Sequence, residues 1–210
     1  MSKVELQPTV LVVDDDESMR VALSYLFRSM NLHVKVFSSA AELLQNKLPD
    51  VTSCLVLDIR LPGVSGLEFQ DVLAKAEIHL PIIFMTGHGD IPMSVKAMKA
   101  GALDFLTKPF RDQDMLDAVT RALEQDRKRR DGEKAGSRVR RLFESLTPRE
   151  REVMTLVTSG LMNKQTAALL QLSEITVKIH RGHVMKKMEA RSLADLVRMA
   201  ETLGIDRKTS

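Results

Sequence analysis

The N-terminal part of the 210-residue chain alternates short apolar runs with segments whose apolar residues recur at helical spacing. Runs of four to six residues that are rich in valine, isoleucine and leucine predict β-strands buried on both faces. Because helical segments separate these runs, a parallel sheet with helices on both faces is expected. We predict a doubly wound (βα)5 α/β domain over residues 8–124. Its predicted strands are 9–14, 33–37, 53–58, 81–86 and 104–107.

The C-terminal part of the chain shows helical periodicity only. Thr147 before Pro148, followed by Glu150, is typical of a helix N-terminus, because the two side chains can accept hydrogen bonds from unpaired backbone N–H groups. Further apolar repeats predict three more helices, and a short turn at 172–173 separates the middle two. Four helices in about 60 residues, with that tight turn, predict an all-α helix-turn-helix domain over residues 144–207.

Residues 125–143 connect the two predicted domains and contain eight basic and three acidic residues. We interpret them as a charged helical linker that continues the fifth helix of the first domain. Gly132 and Gly136 favour a flexible joint within this linker, because glycine is a weak helix former. A second short helix is expected after the joint.

The net charge of +3 conceals an uneven distribution of charged residues. Residues 1–124 contain 12 lysines and arginines and 17 acidic residues, a net charge of −5, whereas residues 125–210 contain 19 and 11, a net charge of +8. This asymmetry indicates a nucleic-acid partner for the C-terminal part. The single cysteine, Cys54, excludes an intrachain disulfide, and no apolar stretch approaches the ~18–20 residues of a membrane span. We therefore expect a cytoplasmic protein without a membrane partner.

Residues able to bind a metal ion and a phosphoryl group lie at the ends of the predicted strands. Because the carboxyl ends of parallel strands meet at one edge of a sheet, these residues are expected to lie close together. Neighbouring carboxylates repel one another, and Mg²⁺ relieves this repulsion by binding carboxylate and phosphate oxygens. A carboxylate beside the ion can attack phosphorus, while a lysine and a hydroxyl stabilise the transferred oxygens. The residues at the strand ends are Asp14, Asp15, Asp16, Asp58, Thr86 and Lys108.

Four motifs occur in the order LVVDDDES, LVLDIRLPGVSG, MTGHG and FLTKPF, and together they resemble the receiver domain of two-component response regulators. The segment from MTGHG to FLTKPF is most similar to the FixJ subgroup. The resemblance implies that a sensor histidine kinase phosphorylates Asp58. It also implies a Mg²⁺ ion bound by Asp15, Asp58 and the backbone carbonyl of Arg60, with Asp14 acting mainly through metal-bound water.

The same resemblance assigns roles to residues around the phosphoryl group. Lys108 is expected to form an ion pair with this group, and Thr86 is expected to donate a hydrogen bond to it. Phe105 occupies the position of an aromatic residue, often tyrosine in the family, whose rotamer changes with activation. The bond between Lys108 and Pro109 corresponds to a cis peptide in the family.

The third helix of the predicted helix-turn-helix domain, within residues 173–188, has two different faces. At 100° per residue, one face carries apolar residues for the core, and the other combines lysines with small or apolar residues. The second face suits a helix that lies in the DNA major groove. The core face contains Val177, His180, Val184 and Met188, and the other face contains Lys178, Ile179, Gly182 and Lys186.

The motifs LTPREREV and TVKIH, the latter followed by KKM, resemble the LuxR/NarL/FixJ-type DNA-binding domain. The resemblance implies contacts of Lys178, Ile179 and Gly182 with bases or phosphates. Gly182 departs from the long polar residue of some members and costs roughly 1 kcal/mol of helix propensity. Thr176 near the helix N-terminus is placed to contact a phosphate. Further expected phosphate contacts are Asn163, Lys164, Arg181 and Lys186.

These features together predict a phosphorylation-dependent transcriptional regulator rather than an enzyme. Phosphorylation of Asp58 is expected to change the surface of the fourth helix, fifth strand and fifth helix, which then forms a homodimer interface. The homodimer is expected to bind double-stranded promoter DNA and to activate transcription together with RNA polymerase.

Two alternatives use the same residues differently. Asp14 and Asp16 form an Asp-x-Asp motif, in which Asp14 would be the nucleophile and Asp16 the general acid of a phosphohydrolase. The short strand–helix units leave little room for the substrate-binding insertions of such an enzyme. The basic helical domain would alternatively bind structured RNA, as an antiterminator does. A lysine-bearing helix after a tight turn favours duplex DNA over RNA.

Overall fold

The computed structural model describes residues 7–87 and 91–205, with residues 91 and 92 described for their backbone only. The last two residues of the MTGHG motif, at 88–89, and the end of the predicted helix-turn-helix domain, at 206–207, lie outside the described residues. The chain divides into two compact units between Arg130 and Asp131. Each unit is described separately below.

The N-terminal unit is built on five strands, which are β1 (Thr9–Val13), β2 (His33–Phe37), β3 (Ser53–Asp58), β4 (Ile82–Thr86) and β5 (Asp104–Thr107). Their order in the sheet is β2-β1-β3-β4-β5, and every neighbouring pair is parallel. The predicted doubly wound (βα)5 fold is confirmed. The predicted bounds agree with β2, β3 and β5 and are one residue too long for β1 and β4.

Helices cover both faces of this sheet. They are α1 (Glu17–Ser29), α2 (Ala40–Gln45), α3 (Gly66–Lys75), α4 (Ile91–Lys99) and α5 (Asp112–Glu144). Because side chains alternate along a strand, Leu11 and Val13 of β1 join the core beneath α2, α3 and α4, whereas Val10 and Val12 join the core beneath α1 and α5. The three central strands, β1, β3 and β4, are therefore buried along their whole length, and their polar residues lie at the strand ends.

The fifth helix continues without interruption from Asp112 to Glu144. The flexible joint expected at Gly132 and Gly136 was therefore wrong, and so was the separate helix after it. Most residues near the glycines are arginine, lysine, glutamate and alanine, which are strong helix formers. Each glycine disfavours the helix by only about 1 kcal/mol relative to alanine, and this is too little to break it.

The C-terminal unit contains the last turns of α5 and four further described helices. These are α6 (Pro148–Thr158), α7 (Asn163–Leu170), α8 (Glu174–Lys187) and α9 (Leu193–Thr202). The predicted helix-turn-helix architecture is confirmed, with a left-handed Gln171 (φ 56°) ending α7 just before α8 begins. Leu142 and Phe143 of α5 pack against the core of this unit, which includes Met154 and Leu196.

The predicted capping motif forms at the start of α6. The Thr147 hydroxyl accepts a hydrogen bond from the Glu150 N–H at 3.3 Å, and the Glu150 carboxylate accepts one from the Thr147 N–H at 2.8 Å. Two otherwise unpaired N–H groups are thereby satisfied, which fixes where the helix begins.

Among the helices that the structure describes, none is both long enough and apolar enough to cross a lipid bilayer. The 33-residue α5 has the length but is rich in charged side chains.

Candidate functional site

Asp14, Asp15 and Asp58 lie together at the carboxyl edge of the sheet, where the neighbouring strands β1 and β3 end. One carboxylate oxygen of each residue lies within 4.8 Å of the other two. Asp14 and Asp58 are buried, whereas Asp15 is exposed. These carboxylates offer the hard oxygen ligands that Mg²⁺ prefers, and the exposed side leaves access for water and phosphate oxygens. The site therefore fits a divalent cation.

The ammonium group of Lys108 lies between two of these carboxylates. Its Nζ is 2.7 Å from Asp14 Oδ2 and 2.7 Å from Asp58 Oδ2. The Lys108 N–H donates to the Thr86 carbonyl at 2.7 Å, which ties the loop after β5 to the end of β4. The peptide bond between Lys108 and Pro109 is cis, as the resemblance implied. Lys108 is thus positioned to pair with negative charge added at Asp58.

Burial and ion pairing oppose each other in setting the pKa values of Asp14 and Lys108. Burial raises the pKa of Asp14, and hydrogen bonds from Lys108 and from the Asp16 N–H offset only part of this effect. Burial lowers the pKa of Lys108, but its hydrogen bonds to Asp14 and Asp58 outweigh burial and raise that pKa above the usual value. Lys108 is therefore charged at neutral pH and supplies a positive charge next to Asp58.

The backbone of the loop after β3 holds the Asp58 carboxylate. Asp58 Oδ1 accepts a hydrogen bond from the Arg60 N–H at 3.0 Å, while the Arg60 side chain is exposed. The Ile59 N–H donates to the Met85 carbonyl at 3.0 Å. One carboxylate oxygen of Asp58 is therefore fixed by the loop, and the other contacts Lys108. The Arg60 backbone lies beside Asp58, and metal binding by its carbonyl stays a prediction.

Gly66, the first residue of α3, approaches the backbone of Asp58 more closely than any side chain permits. A β-carbon at Gly66 would lie 2.6 Å from the Asp58 carbonyl oxygen and 2.9 Å from Ile59 Cα. The Gly66 N–H donates to the Ile59 carbonyl at 2.8 Å, which holds this approach. Sequence analysis gave Gly66 no role, because the crowding depends on the path of the loop between β3 and α3.

The two residues expected to respond to phosphorylation lie on neighbouring strands. Thr86 ends β4 and is fully buried. Phe105 on β5 is half-buried, is paired in the sheet with Phe84, and packs against the core beneath α2, α3 and α4. Their roles in contacting the phosphoryl group and in switching stay predictions.

Arg20 is a residue of the acidic site that sequence analysis missed. Its Nη1 donates hydrogen bonds to the carbonyls of Asp14 at 2.8 Å and Asp15 at 2.9 Å. Arg20 lies in the second turn of α1, so its side chain reaches back over the loop that carries the two aspartates. The sequence pattern that could have indicated these contacts is an arginine five or six positions after a pair of aspartates.

Asp16 caps α1 rather than joining the three clustered carboxylates. Its Oδ1 accepts hydrogen bonds from the Ser18 hydroxyl at 2.5 Å and from the Ser18 N–H at 2.9 Å. These bonds hold the pKa of the exposed Asp16 below its usual range. A general acid needs a raised pKa, so this environment argues against the phosphohydrolase alternative.

Helix α8 has the two faces that were predicted. Val177 and Val184 are buried in the core of the C-terminal unit, as is Met188 just after the helix, and His180 is half-buried. The opposite face is exposed along its length. Its predicted DNA-contacting residues are Lys178, Ile179, Gly182 and Lys186.

The other predicted phosphate contacts lie in the first turns of α7 and α8 and in the middle of α8. Arg181 Nη1 donates to Asn163 Oδ1 at 3.2 Å, so two residues predicted separately form one polar pair between α8 and α7. Thr176 lies in the first turn of α8, with its hydroxyl 2.8 Å from that of Ser173. Lys164 is exposed in the first turn of α7.

Glu150 also ties α6 to α8, which sequence analysis did not foresee. Lys187 Nζ lies 2.7 Å from Glu150 Oε2, and His183 Nδ1 lies 3.7 Å from Glu150 Oε1. Burial acts to raise the pKa of Glu150, but hydrogen bonds from Lys187 and Thr147 outweigh burial and lower that pKa. The glutamate that begins α6 therefore also holds the C-terminal end of α8.

Two family models match the two parts of the chain. Residues 10–120 match the response regulator receiver domain, and residues 144–200 match the bacterial regulatory proteins of the luxR family.

Relatives and solved structures cover nearly the whole chain. Nodulation protein W of Bradyrhizobium diazoefficiens is 66% identical over 93% of this chain and 86% of that protein. Transcriptional regulatory protein FixJ of Azorhizobium caulinodans is 43% identical over 93% of each chain. The solved structure of response regulator StyR superposes with a TM-score of 0.84 at 47% identity, covering 93% of this chain and 99% of that chain.

The chain therefore belongs to the two-component response regulators of the NarL/FixJ family, with a receiver domain followed by a LuxR-type DNA-binding domain. It is a transcriptional regulator and not an enzyme. The receiver domain implies a kinase partner, and the helix-turn-helix domain implies DNA binding.

Proposed function

We propose that a sensor histidine kinase phosphorylates Asp58 in a Mg²⁺-dependent reaction, and that this controls binding of promoter DNA in the cytoplasm. The observation that carries the proposal is the position of Lys108, whose Nζ contacts both Asp14 and Asp58 at 2.7 Å. The Asp14 side chain is fully buried, whereas that of Asp58 is 10% exposed. A lysine held between the two carboxylates therefore supports phosphoryl transfer to the more accessible one, which is Asp58.

In the reaction, a carboxylate oxygen of Asp58 forms a bond to phosphorus while the bond between phosphorus and the kinase histidine nitrogen breaks. The Mg²⁺ ion would be held by Asp14, Asp15, Asp58 and the Arg60 carbonyl. When bound, Mg²⁺ supplies positive charge for the oxygens of the transferred group. Lys108 then exchanges its contact with Asp58 Oδ2 for one with the new phosphoryl oxygens, and Thr86 donates a hydrogen bond to them.

The phosphorylated protein forms a homodimer through α4, β5 and α5, and each protomer presents one α8 to a half-site of duplex DNA. Rotation of Phe105 couples the phosphoryl site to this surface. Exposed Val95 and Met98 on α4 support an interface there. The dimer activates transcription with RNA polymerase. We assign residues 8–124 to the receiver domain, 125–143 to the charged helical linker and 144–207 to the DNA-binding domain.

The test is labelling of the full-length protein with radioactive acetyl phosphate and Mg²⁺. We expect one phosphoryl group per chain, none in Asp58→Asn, and none after chelation of divalent cations. Phosphorylation should raise the affinity of the wild-type protein, but not of Asp58→Asn, for a promoter fragment found by footprinting. The matched control is Asp16→Asn, which removes a neighbouring carboxylate but keeps the cap of α1, because asparagine caps helices as well as aspartate does.

Asp16→Asn is expected to label like the wild type. If Asp58→Asn still accepted label while Asp16→Asn lost it, the assignment of Asp58 as phosphoacceptor would be wrong. That result would favour the phosphohydrolase alternative. Continuous release of phosphate from a small ester by the unmodified protein would lead to the same conclusion.

A further inference from the structure

The exposed face of α8 that points away from the core, here called the outward face, carries two isoleucines, Ile175 and Ile179. Only Ile179 is among the expected DNA contacts. At 100° per residue, Ile175 lies at the centre of the arc of about 100° that contains Lys178, Ile179, Gly182 and Lys186. All five positions are exposed. Ile175 is the second residue of the helix, so it lies at the end that enters the major groove in helix-turn-helix proteins.

The exposure of these two isoleucines is large for side chains of their type. Ile175 is 74% exposed and Ile179 is 54% exposed, although the adjoining core of Val153, Val157 and Val177 is closed. Residues four positions apart on a helix lie on the same side, so the two side chains form one apolar patch. Such a patch is stabilised when an apolar partner removes it from water.

Charge complementarity on this face identifies the partner as duplex DNA. Lys178 and Lys186 lie on the same outward arc as the isoleucines, and their ammonium groups favour the phosphates on either side of a groove. A β-carbon at Gly182 would meet nothing within 4 Å, so the helix presents bare backbone there and can approach the base edges closely. The major groove offers one large apolar feature to such a face, which is the C5-methyl group of thymine.

We propose that Ile175 and Ile179 read thymine methyl groups in the major groove, which makes Ile175 a specificity-determining residue of this regulator. The inference rests on the proposed DNA-binding function and adds the base that is recognised. It predicts half-sites with thymines under the N-terminal half of α8. It also predicts that uracil is a poor substitute, although uracil has the same hydrogen-bonding groups as thymine.

The experiment uses the full-length protein phosphorylated with acetyl phosphate. A duplex is first selected by this protein from a random-sequence library, and each thymine of its half-sites is then replaced by deoxyuridine. We expect affinity to fall about fourfold for each contacted methyl group that is removed. The Ile175→Ala variant should bind the thymine duplex more weakly by a similar factor and should show no further loss with uracil at the same position. Ile179→Ala should show the same behaviour at a second thymine.

Alanine is a better helix former than isoleucine, so both variants should keep α8 intact. Leu169→Ala is the matched control, because Leu169 is 63% exposed on α7 and lies outside the outward face of α8. Its effect should be the same on thymine and uracil duplexes.

Three results would overturn the inference, and they are distinguishable. If a specific duplex is selected but uracil is neutral at every position, or its effect is unchanged in both isoleucine variants, DNA binding stands and methyl reading fails. If the variants bind DNA normally but lose dimerisation or RNA polymerase recruitment, the patch contacts protein instead. If no duplex is enriched at all, the proposed DNA-binding function fails and the inference fails with it.

Discussion

At the scale of single residues, the acidic site is positioned by groups that carry no carboxylate. Arg20 holds the Asp14 and Asp15 carbonyls at 2.8 and 2.9 Å. Gly66 lets α3 begin against the backbone of Asp58. Both contacts fix the backbone rather than the side chains, and the positions of the carboxylates follow from the position of that backbone. Small displacements of this backbone therefore change the distances on which the proposed metal binding and phosphoryl transfer depend.

We predict that Gly66→Ala impairs the site although it leaves every carboxylate in place. The added β-carbon would lie 2.6 Å from the Asp58 carbonyl oxygen and 2.9 Å from Ile59 Cα, so the backbone must move. The free energy of unfolding should fall by about 1–3 kcal/mol, as for other overpacked sites. Phosphorylation of Asp58 by acetyl phosphate should slow by at least about tenfold, because a 1 Å error in position is sufficient for such a loss.

Unfolding of the N-terminal unit can be followed in the full chain by tyrosine fluorescence, because Tyr25 is the single tyrosine and the chain has no tryptophan. Gly132→Ala is the matched control, since a β-carbon there would meet nothing within 4 Å. It should label at the wild-type rate. A Gly66→Ala variant that labels equally fast would show that the close approach has no part in positioning Asp58.

Sequence reasoning predicted which carboxylates would meet but not what holds them. Asp14, Asp15 and Asp58 were predictable, because parallel strands place their carboxyl ends at one edge and these residues end two strands that proved to be neighbours. The contacts of Arg20 and Gly66 depend on loop paths and on a long side chain that folds back. Neither leaves a periodic pattern in the sequence.

At the scale of elements, the middle of the long helix α5 is fixed to the sheet by a buried ion cluster. Asp126 is fully buried and accepts hydrogen bonds from the Ser53 N–H at 2.8 Å, from Arg129 at 2.6 Å and from Arg130 at 2.7 Å. Ser53 is the first residue of β3, and its partner Asp126 lies four turns into α5. The compact N-terminal unit ends at Arg130, the last residue of this cluster.

We predict that Asp126→Ala destabilises the N-terminal unit by about 3–5 kcal/mol, because it leaves a buried N–H group and two arginines without their shared acceptor. Denaturant unfolding followed by Tyr25 fluorescence measures this loss. Asp50→Ala is the matched control, since Arg130 also contacts Asp50 at 3.0 Å but the Asp50 side chain is fully exposed. That variant should unfold at the wild-type denaturant concentration, because exposed ion pairs contribute little. Equal effects of the two substitutions would contradict the role given to burial.

The same cluster explains why the linker was only partly predictable. The helical character of the linker followed from its composition, but nothing in the sequence distinguishes Asp126 from the solvated charged residues around it. Its burial depends on Ser53, which is 73 positions earlier in the chain. The strands were easier, because an apolar run buried on both faces is visible in the sequence itself. Gly132 and Gly136 weaken the helix locally, but they do not outweigh the packing of its two ends.

At the scale of the whole molecule, charge separates the two tasks of the protein. The acidic part, residues 1–124 with a net charge of −5, contains the carboxylate site. The basic part, residues 125–210 with a net charge of +8, contains α8 and its exposed lysines. A negative receiver domain gives little non-specific attraction to DNA, so affinity for the polyanion depends on the C-terminal unit. This division was visible from the sequence before any fold was assigned.

The salt dependence of DNA binding measures directly which part of the chain contacts the phosphates. If each protomer of the phosphorylated dimer contacts about four phosphates, the logarithm of the binding constant should fall with the logarithm of salt concentration at a slope of about −7. Lys186→Ala removes one predicted phosphate contact from each protomer, so the slope should become about −5. Lys47→Ala removes the same charge from an exposed position of the N-terminal unit and should leave the slope unchanged. Titrations of a selected duplex at several salt concentrations would distinguish these values. Equal slopes for Lys186→Ala and the wild type would remove Lys186 from the phosphate contacts, and a changed slope for Lys47→Ala would place the receiver domain near the DNA backbone.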